Sequence, residues 1–190
     1  MMNRMFWLTA LMILGAGPAF AHPGHAGSGF LHPFTGLDHL LAMIGVGVWA
    51  SLLAARRPVV ALVVPLSFIM VMVGGAAAGF AGIKLPIAEA GILASVFLLG
   101  GLVLIAVRVP TTLAVAVVAL FAVFHGYVHA IEAPPADSAA YTLGFLSATA
   151  ILLAVGVAVG WAARRLAGDV GLRALGGLIL AGGAFVLVAQ

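Results

Sequence analysis

The chain has 190 residues, of which 65% are hydrophobic and only 7% are charged, and its mean hydropathy is +1.30. This composition excludes an ordinary water-soluble domain and is typical of a single membrane domain with several spanning helices. The absence of cysteine excludes disulfides, iron–sulfur clusters and thiolate metal sites, and the eight basic residues are too scattered to form a nucleic-acid-binding patch.

Residues 1–21 predict a cleaved secretory signal peptide. They contain a basic residue at position 4, a short apolar stretch over residues 5–15 and a small-x-small ending at residues 19–21. The alternative is an uncleaved first transmembrane helix, which the shortness of the apolar stretch disfavours. We therefore expect the mature chain to begin at His22.

Residues 22–35 predict a short exported lead segment that contains three of the six histidines. The segment is rich in Gly and Pro, which predicts a non-helical conformation, and Pro33 disfavours a helical conformation at His32. His22 and His25 are weak candidates for metal ligands, because a flexible tail explains them as well. His32 is either a ligand that folds over the next helix or a solvated loop residue.

Six apolar stretches follow within residues 36–190, and each is long enough to cross a hydrocarbon layer of about 30 Å as a helix. The predicted fold class is all-α, a polytopic membrane bundle of six transmembrane helices after the cleaved signal peptide, which forms one transmembrane domain over residues 36–190. The predicted spans are Gly36–Ala54, Val59–Gly82, Ile87–Val107, Thr111–Ile131, Ser138–Ala163 and Leu172–Ala189.

The basic residues predict the orientation of this bundle. Alternate loops carry arginines, and these loops are expected in the cytoplasm by the positive-inside rule. Both mature termini then lie outside the cytoplasm, on the periplasmic side, and the expected location is the bacterial inner (cytoplasmic) membrane. The arginines that orient the chain are Arg56, Arg57, Arg108, Arg164, Arg165 and Arg173.

This topology gathers the polar residues at the outer side of the membrane. Asp38 and His39 lie in the first turn of the first span. His125, His129 and Glu132 lie at the outer end of the fourth span, within an arc of roughly 60° on a helix. Ionisable groups at membrane depth usually face a bundle interior, so we expect these two sets to face each other.

Imidazole and carboxylate ligands suit divalent transition metals. Two further residues are weaker candidates for the same site: Met43, four residues after His39, offers a thioether, and Glu89 lies one turn into the third span. Glu89 has a plainer interpretation, in which it snorkels to the interface or pairs with Lys84.

The stronger candidates also have structural interpretations without metal. Thr35 and Asp38 have the spacing of a capping box, which satisfies free N–H groups at a helix start. His125, His129 and Glu132 have the polar character of an interhelical hydrogen-bond cluster. Capping and metal binding are compatible with each other.

Two motifs together resemble the HupE/UreJ family of nickel and cobalt permeases: HPFTGLDHLLAM at residues 32–43 and FHGYVHAIE at residues 124–132, after a signal peptide that ends before HPGH at residues 22–25. The likeness covers essentially the whole mature chain. It implies a six-helix secondary transporter of Ni²⁺, with Co²⁺ as a second candidate cargo, that supplies hydrogenase or urease. The transport-critical residues that it implies are His32, Asp38, His39, His125, His129 and Glu132.

Two features depart from the expected patterns. Ala130 stands where the family resemblance leads us to expect glycine, and five residues separate His32 from Asp38, against four in the separate NiCoT permeases. The second departure argues that the ligand chemistry is convergent between the two families.

The sequence predicts a non-enzymatic protein with no prosthetic group and no nucleotide-binding loop for ATP coupling. Two other functions fit a membrane-embedded histidine site. One is an intramembrane zinc-dependent hydrolase, in which zinc activates water. The other is a metal-binding sensor or assembly subunit that binds ions without moving them.

Overall fold

The computed structural model describes residues 28–189, and every regular element in this range is a helix. The predicted signal peptide, as well as His22 and His25, lies outside the described residues. The helices are α1 (Ser28–Thr35), α2 (Leu37–Leu53), α3 (Val60–Phe80), α4 (Ala88–Leu104), α5 (Thr111–Ile131) and α6 (Ser138–Ala189). The predicted all-α class is therefore confirmed for this part of the chain.

Three of these helices, α3, α5 and α6, are long and apolar enough to cross a membrane. The number rises to four if α1 and α2, which meet at an angle of 85°, count as one broken span. Helix α4 is apolar but has only 17 residues. The apolar helices are those of a membrane protein, while the number of six spanning helices stays a prediction.

Helix α6 consists of two arms that meet at Gly168. This residue has φ 60° and ψ −146°, a backbone conformation that is essentially restricted to glycine. A Cβ atom on Gly171 would lie 2.5 Å from the carbonyl oxygen of Ala163, whereas residues eight apart in a straight helix are separated by about 12 Å. The chain therefore turns back at Gly168, between the stretches predicted as the fifth and sixth spans.

The prediction that residues 22–35 are non-helical is wrong for Ser28–Thr35, which form α1 with Pro33 inside it. Proline has a helix-compatible φ, and at this position it removes only the hydrogen bond to the carbonyl of Gly29. Gly29 packs directly against the backbone of Tyr141 at the start of α6. This tertiary contact holds α1 in place and overrides the local preference.

Close backbone contacts hold the bundle together. Gly126 of α5 packs against the carbonyl of Met72 on α3, and Gly47 of α2 packs against the carbonyl of Leu153 on α6. Small residues allow helices to approach closely where lipid provides no hydrophobic driving force for association. These contacts bring α2, α3, α5 and the first arm of α6 around one buried core.

Three segments meet at the end of the bundle that carries the arginine loops. Arg108 Nη2 lies 3.3 Å from both carboxylate oxygens of Asp169. The indole Nε1 of the fully buried Trp49 donates a hydrogen bond of 3.0 Å to the carbonyl of Val107. The end of α2, the loop between α4 and α5, and the turn within α6 therefore lie together.

Candidate metal centre

Four histidines from three helices form one cluster, which we call the histidine cluster: His32 on α1, His39 on α2, and His125 and His129 on α5. The ring centroids of His39 lie 5.3 Å from His125 and 5.0 Å from His129. The ring of His32 lies 5.0 Å from His129 and 5.5 Å from His39. The structure thus brings the two predicted sets of residues face to face.

The bend at Gly36 places His32 over the start of α2. Gly36 has an extended conformation, with φ −81° and ψ 105°, and it separates the two helices that meet at 85°. A Cβ atom at this position would lie 3.2 Å from Asp38 Oδ1 and 3.2 Å from His39 Nδ1. The absence of a side chain at Gly36 therefore leaves room for the Asp38–His39 pair.

Helix α5 presents His125 and His129 to the interior from successive turns of one face. Both side chains have no exposed surface, and His39 is only 6% exposed. Placing imidazoles at this depth without partners costs free energy. The hydrogen bonds of each ring nitrogen therefore show which nitrogens are paired within the protein and which are free to bind an ion.

Two histidines have one ring nitrogen fixed and the other free. His39 Nδ1 lies 2.9 Å from Asp38 Oδ1, and His125 Nδ1 lies 2.9 Å from the carbonyl oxygen of Phe121. Because both partners are acceptors, Nδ1 carries the proton in each neutral ring and Nε2 presents its lone pair. This is the arrangement in which metal-binding histidines are usually held.

The free nitrogens are buried. Within residues 28–189, no hydrogen-bond partner exists for Nε2 of His39, for Nε2 of His125, or for either ring nitrogen of His129. Buried polar atoms without partners are rare and require an explanation, such as a bound ion. The interhelical hydrogen-bond interpretation does not supply one, because His125 bonds only within its own helix.

The capping-box interpretation is wrong. The hydroxyl of Thr35 donates to the carbonyl of His32 at 3.0 Å, and the N-cap residue Gly36 has no capping side chain. Asp38 accepts the backbone N–H of His39 at 2.8 Å in addition to contacting its ring. Asp38 therefore satisfies one helix N–H group and orients His39 at the same time.

Glu132 lies at the rim of the histidine cluster, just after α5. Its Oε2 is 3.0 Å from His32 Nε2, an ion-pair distance, but the ring nitrogen does not have hydrogen-bond geometry toward the carboxylate. The side chains are 38% and 27% exposed, respectively. Glu132 and His32 thus form the accessible side of the site, and the other histidines form the buried side.

Aromatic rings enclose the cluster, and sequence reasoning missed them. Phe145 stacks on His129 with centroids 4.5 Å apart and an interplanar angle of 9°, and Phe68 lies 5.4 Å from His125. Tyr141 lies 6.3 Å from His32. The spacing of Tyr141 and Phe145, four residues apart at the start of the predicted fifth span, is the signal that points to one helix face.

Three of the histidines have nearly the spacing that a single ion requires. One ligand nitrogen from each of His32, His39 and His129 lies within 4.8 Å of the others. Nitrogens on opposite sides of an ion at bond lengths of about 2.0–2.1 Å are at most about 4.2 Å apart. A small inward movement of these side chains is therefore sufficient for coordination.

The weaker candidates are placed differently. Met43 is fully buried, one turn further along α2 than His39. Glu89 is exposed in the first turn of α4 and does not belong to the histidine cluster. His22 and His25 lie outside the described residues.

Comparison with known proteins gives a consistent result. The model of the family described as HupE / UreJ protein matches residues 9–186. Protein HupE of Rhizobium leguminosarum bv. viciae is 41% identical over 189 residues, covering 95% of this chain and 97% of that protein. No solved structure matches the chain. With the family model and a full-length relative in agreement, the chain belongs to the HupE/UreJ family.

Proposed function

We propose that this protein is a secondary transporter that moves Ni²⁺, with Co²⁺ as a second candidate cargo, into the cytoplasm. The observation that carries the proposal is the set of buried imidazole nitrogens from α2 and α5 that have no partner in residues 28–189. Neutral imidazole is a good ligand for nickel and cobalt. The family membership and the apolar helices support the same function.

The proposed metal ligands are His32, His39, His125 and His129, with carboxylate assistance. Asp38 holds the His39 ring through Nδ1, and Glu132 draws cations toward His32 at the accessible rim. Histidines that bind metal are commonly oriented by carboxylates in this way. The role of Asp38 is thus to position a ligand, while Glu132 acts at capture.

The mechanism proceeds from the rim inward. An ion loses part of its hydration shell between His32 and Glu132, and it then binds His32, His39 and His129 together. With six spans and the arginine loops inside, an inside-negative membrane potential favours this direction by roughly 4.6 kcal/mol per divalent ion for each 100 mV. The arrangement supports uptake across the inner membrane with both mature termini outside.

We also propose that the protein supplies metal to nickel enzymes. The family resemblance implies that the imported metal supplies hydrogenase or urease, so the partners of the protein are the cation, the lipid bilayer and, indirectly, the machinery that loads nickel enzymes. The protein itself then needs no enzymatic activity and no prosthetic group.

The test is uptake of radiolabelled nickel in cells that express the protein. We expect His129→Ala and His125→Ala to reduce uptake at least about tenfold, because each removes an imidazole from the buried site. Ser147→Ala is the matched control, since this exposed hydroxyl bonds only to its own helix. Uptake unchanged by both histidine variants would contradict the proposal, and metal-dependent hydrolysis of a lipid or amide without uptake would favour the hydrolase.

A further inference from the structure

Most of the hydroxyl groups that form hydrogen bonds inside the helices donate to the backbone of their own helix. Five of them donate to a carbonyl three or four residues earlier in the same helix, at 2.5 to 2.7 Å: Ser51, Ser67, Ser95, Thr142 and Ser147. Thr149, which is fully buried, contacts the Sδ atom of Met72 on α3 at 4.0 Å instead. A thioether is a weak acceptor, so the hydroxyl hydrogen of Thr149 is held less firmly than in the other five residues, and the group can rotate to turn its oxygen toward a cation.

Thr149 lies at the same depth as His125. The stacked pair of His129 and Phe145 links α5 to the first arm of α6. These helices are antiparallel because only residues 132–137 connect them. One turn inward from the pair, at four residues along each helix, are His125 on α5 and Thr149 on α6.

Met72 belongs to the same layer. Gly126, next to His125, packs directly against the Met72 carbonyl, and Phe68, one turn before Met72 on α3, contacts the His125 ring. The Met72 side chain is completely buried, whereas that of Met70, two residues earlier, is 70% exposed. Met72 therefore faces the interior of the bundle and Met70 faces its surroundings.

We propose that His125 Nε2, Met72 Sδ and Thr149 Oγ1 form a second cation position, one helical turn inward of the position formed by His32, His39 and His129. The ligand class is a soft or borderline transition cation, because a thioether and an imidazole are the principal donors. The inference rests on the proposed function and adds the next step of the route.

His39 connects the two positions. Its ring is a neighbour of both His129 and His125, with centroids 5.0 and 5.3 Å away, so an ion can exchange one imidazole for another without losing all of its ligands. The inner donors are all neutral and include only one imidazole. The inner position therefore holds the ion more weakly than the outer one, which favours release toward the inner half of the bundle.

Uptake measurements test the inner position. We expect Met72→Leu and Thr149→Val, which preserve side-chain size, to reduce the rate of nickel uptake about tenfold. We expect Met70→Leu to transport like the wild type, and Thr149→Ser to restore uptake because it restores the hydroxyl. Transport by Met72→Leu and Thr149→Val at the Met70→Leu rate would overturn the inference.

X-ray absorption at the nickel edge provides a readout that is independent of transport. With Ni²⁺ added to the purified His32→Ala variant, in which the outer position is incomplete, we expect a sulfur scatterer that disappears when Met72→Leu is added and persists with Met70→Leu. A spectrum without sulfur would also overturn the inference. A wild type that neither binds nor transports Ni²⁺ would instead refute the proposed function, so the two failures are distinguishable.

Discussion

At the scale of single residues, the properties of the site depend on which nitrogen of each histidine ring forms a hydrogen bond within the protein. Asp38 and the Phe121 carbonyl take Nδ1 of His39 and His125, which leaves Nε2 free in each. The ring of His129 is held by stacking on Phe145 and keeps both nitrogens free. The protein therefore orients its imidazoles through contacts that leave free the nitrogens we propose as metal ligands.

Asp38→Asn tests this orientation. An amide presents a donor as well as an acceptor to His39 Nδ1, so the preference for a free Nε2 is weakened. We expect the affinity for Ni²⁺ to fall by about 10–100-fold while the fold is retained. Calorimetric titration of the purified protein checks the affinity, and Glu89→Gln, an exposed carboxylate outside the cluster, is the control. Equal affinities for both variants would show that Asp38 does not position His39.

The ligand candidates were predictable from sequence, whereas their surroundings were not. A histidine or carboxylate in an apolar helix is conspicuous because its burial is costly. Phe68 and Phe145 are ordinary residues for a membrane helix, so nothing in the sequence distinguishes them from core packing. Met72 and Met70 show the same difficulty, because only the structure separates the buried thioether from the exposed one.

At the scale of helices, close approach of α3 and α5 fixes the position of both α5 histidines. Gly126, the neighbour of His125 on α5, packs against the α3 backbone, and a Cβ atom there would clash with the Met72 carbonyl and the Ala76 nitrogen. Since both clashing partners are backbone, the helices would have to separate. The placement of His125 therefore depends on a glycine that binds nothing.

Gly126→Ala is predicted to destabilise the protein by about 1–3 kcal/mol, the usual cost of overpacking. Thermal unfolding in detergent checks this expectation. Gly74→Ala is the matched control, because a Cβ atom at Gly74 has no neighbour within 4 Å, and the helix propensity of alanine makes that change neutral or favourable. A melting temperature lowered equally in both variants would contradict the packing argument.

The positions of the helices were largely predictable, but two connections were not. Apolar length fixes where a helix can lie, and the observed α3 and α5 coincide closely with their predicted stretches. The helical state of Ser28–Thr35 depends on packing against Tyr141, which local preferences cannot reveal. The break between the predicted fifth and sixth spans lies where it was expected, but its form was not predicted: the chain reverses at the single residue Gly168, with helix on both sides.

At the scale of the whole molecule, the polar residues are divided between the two ends of the bundle. The histidine cluster lies where α1, α2 and α5 meet, and the Arg108–Asp169 pair lies at the end that carries the arginine loops. Between them, the described core is apolar except for a few hydroxyls and thioethers. The histidine cluster is thus exposed at its rim, through His32 and Glu132, and is bounded on the inner side by an apolar core.

Transport by the purified protein tests whether the histidine cluster passes a cation through the molecule, as we propose. Proteoliposomes with an imposed inside-negative potential are given radiolabelled Ni²⁺ at low concentration. We predict that vesicles with the wild-type protein accumulate nickel faster than protein-free vesicles, and that those with His39→Ala do not. Accumulation by His39→Ala at the wild-type rate, or no accumulation above protein-free vesicles by the wild type, would show that the histidine cluster does not carry the ion.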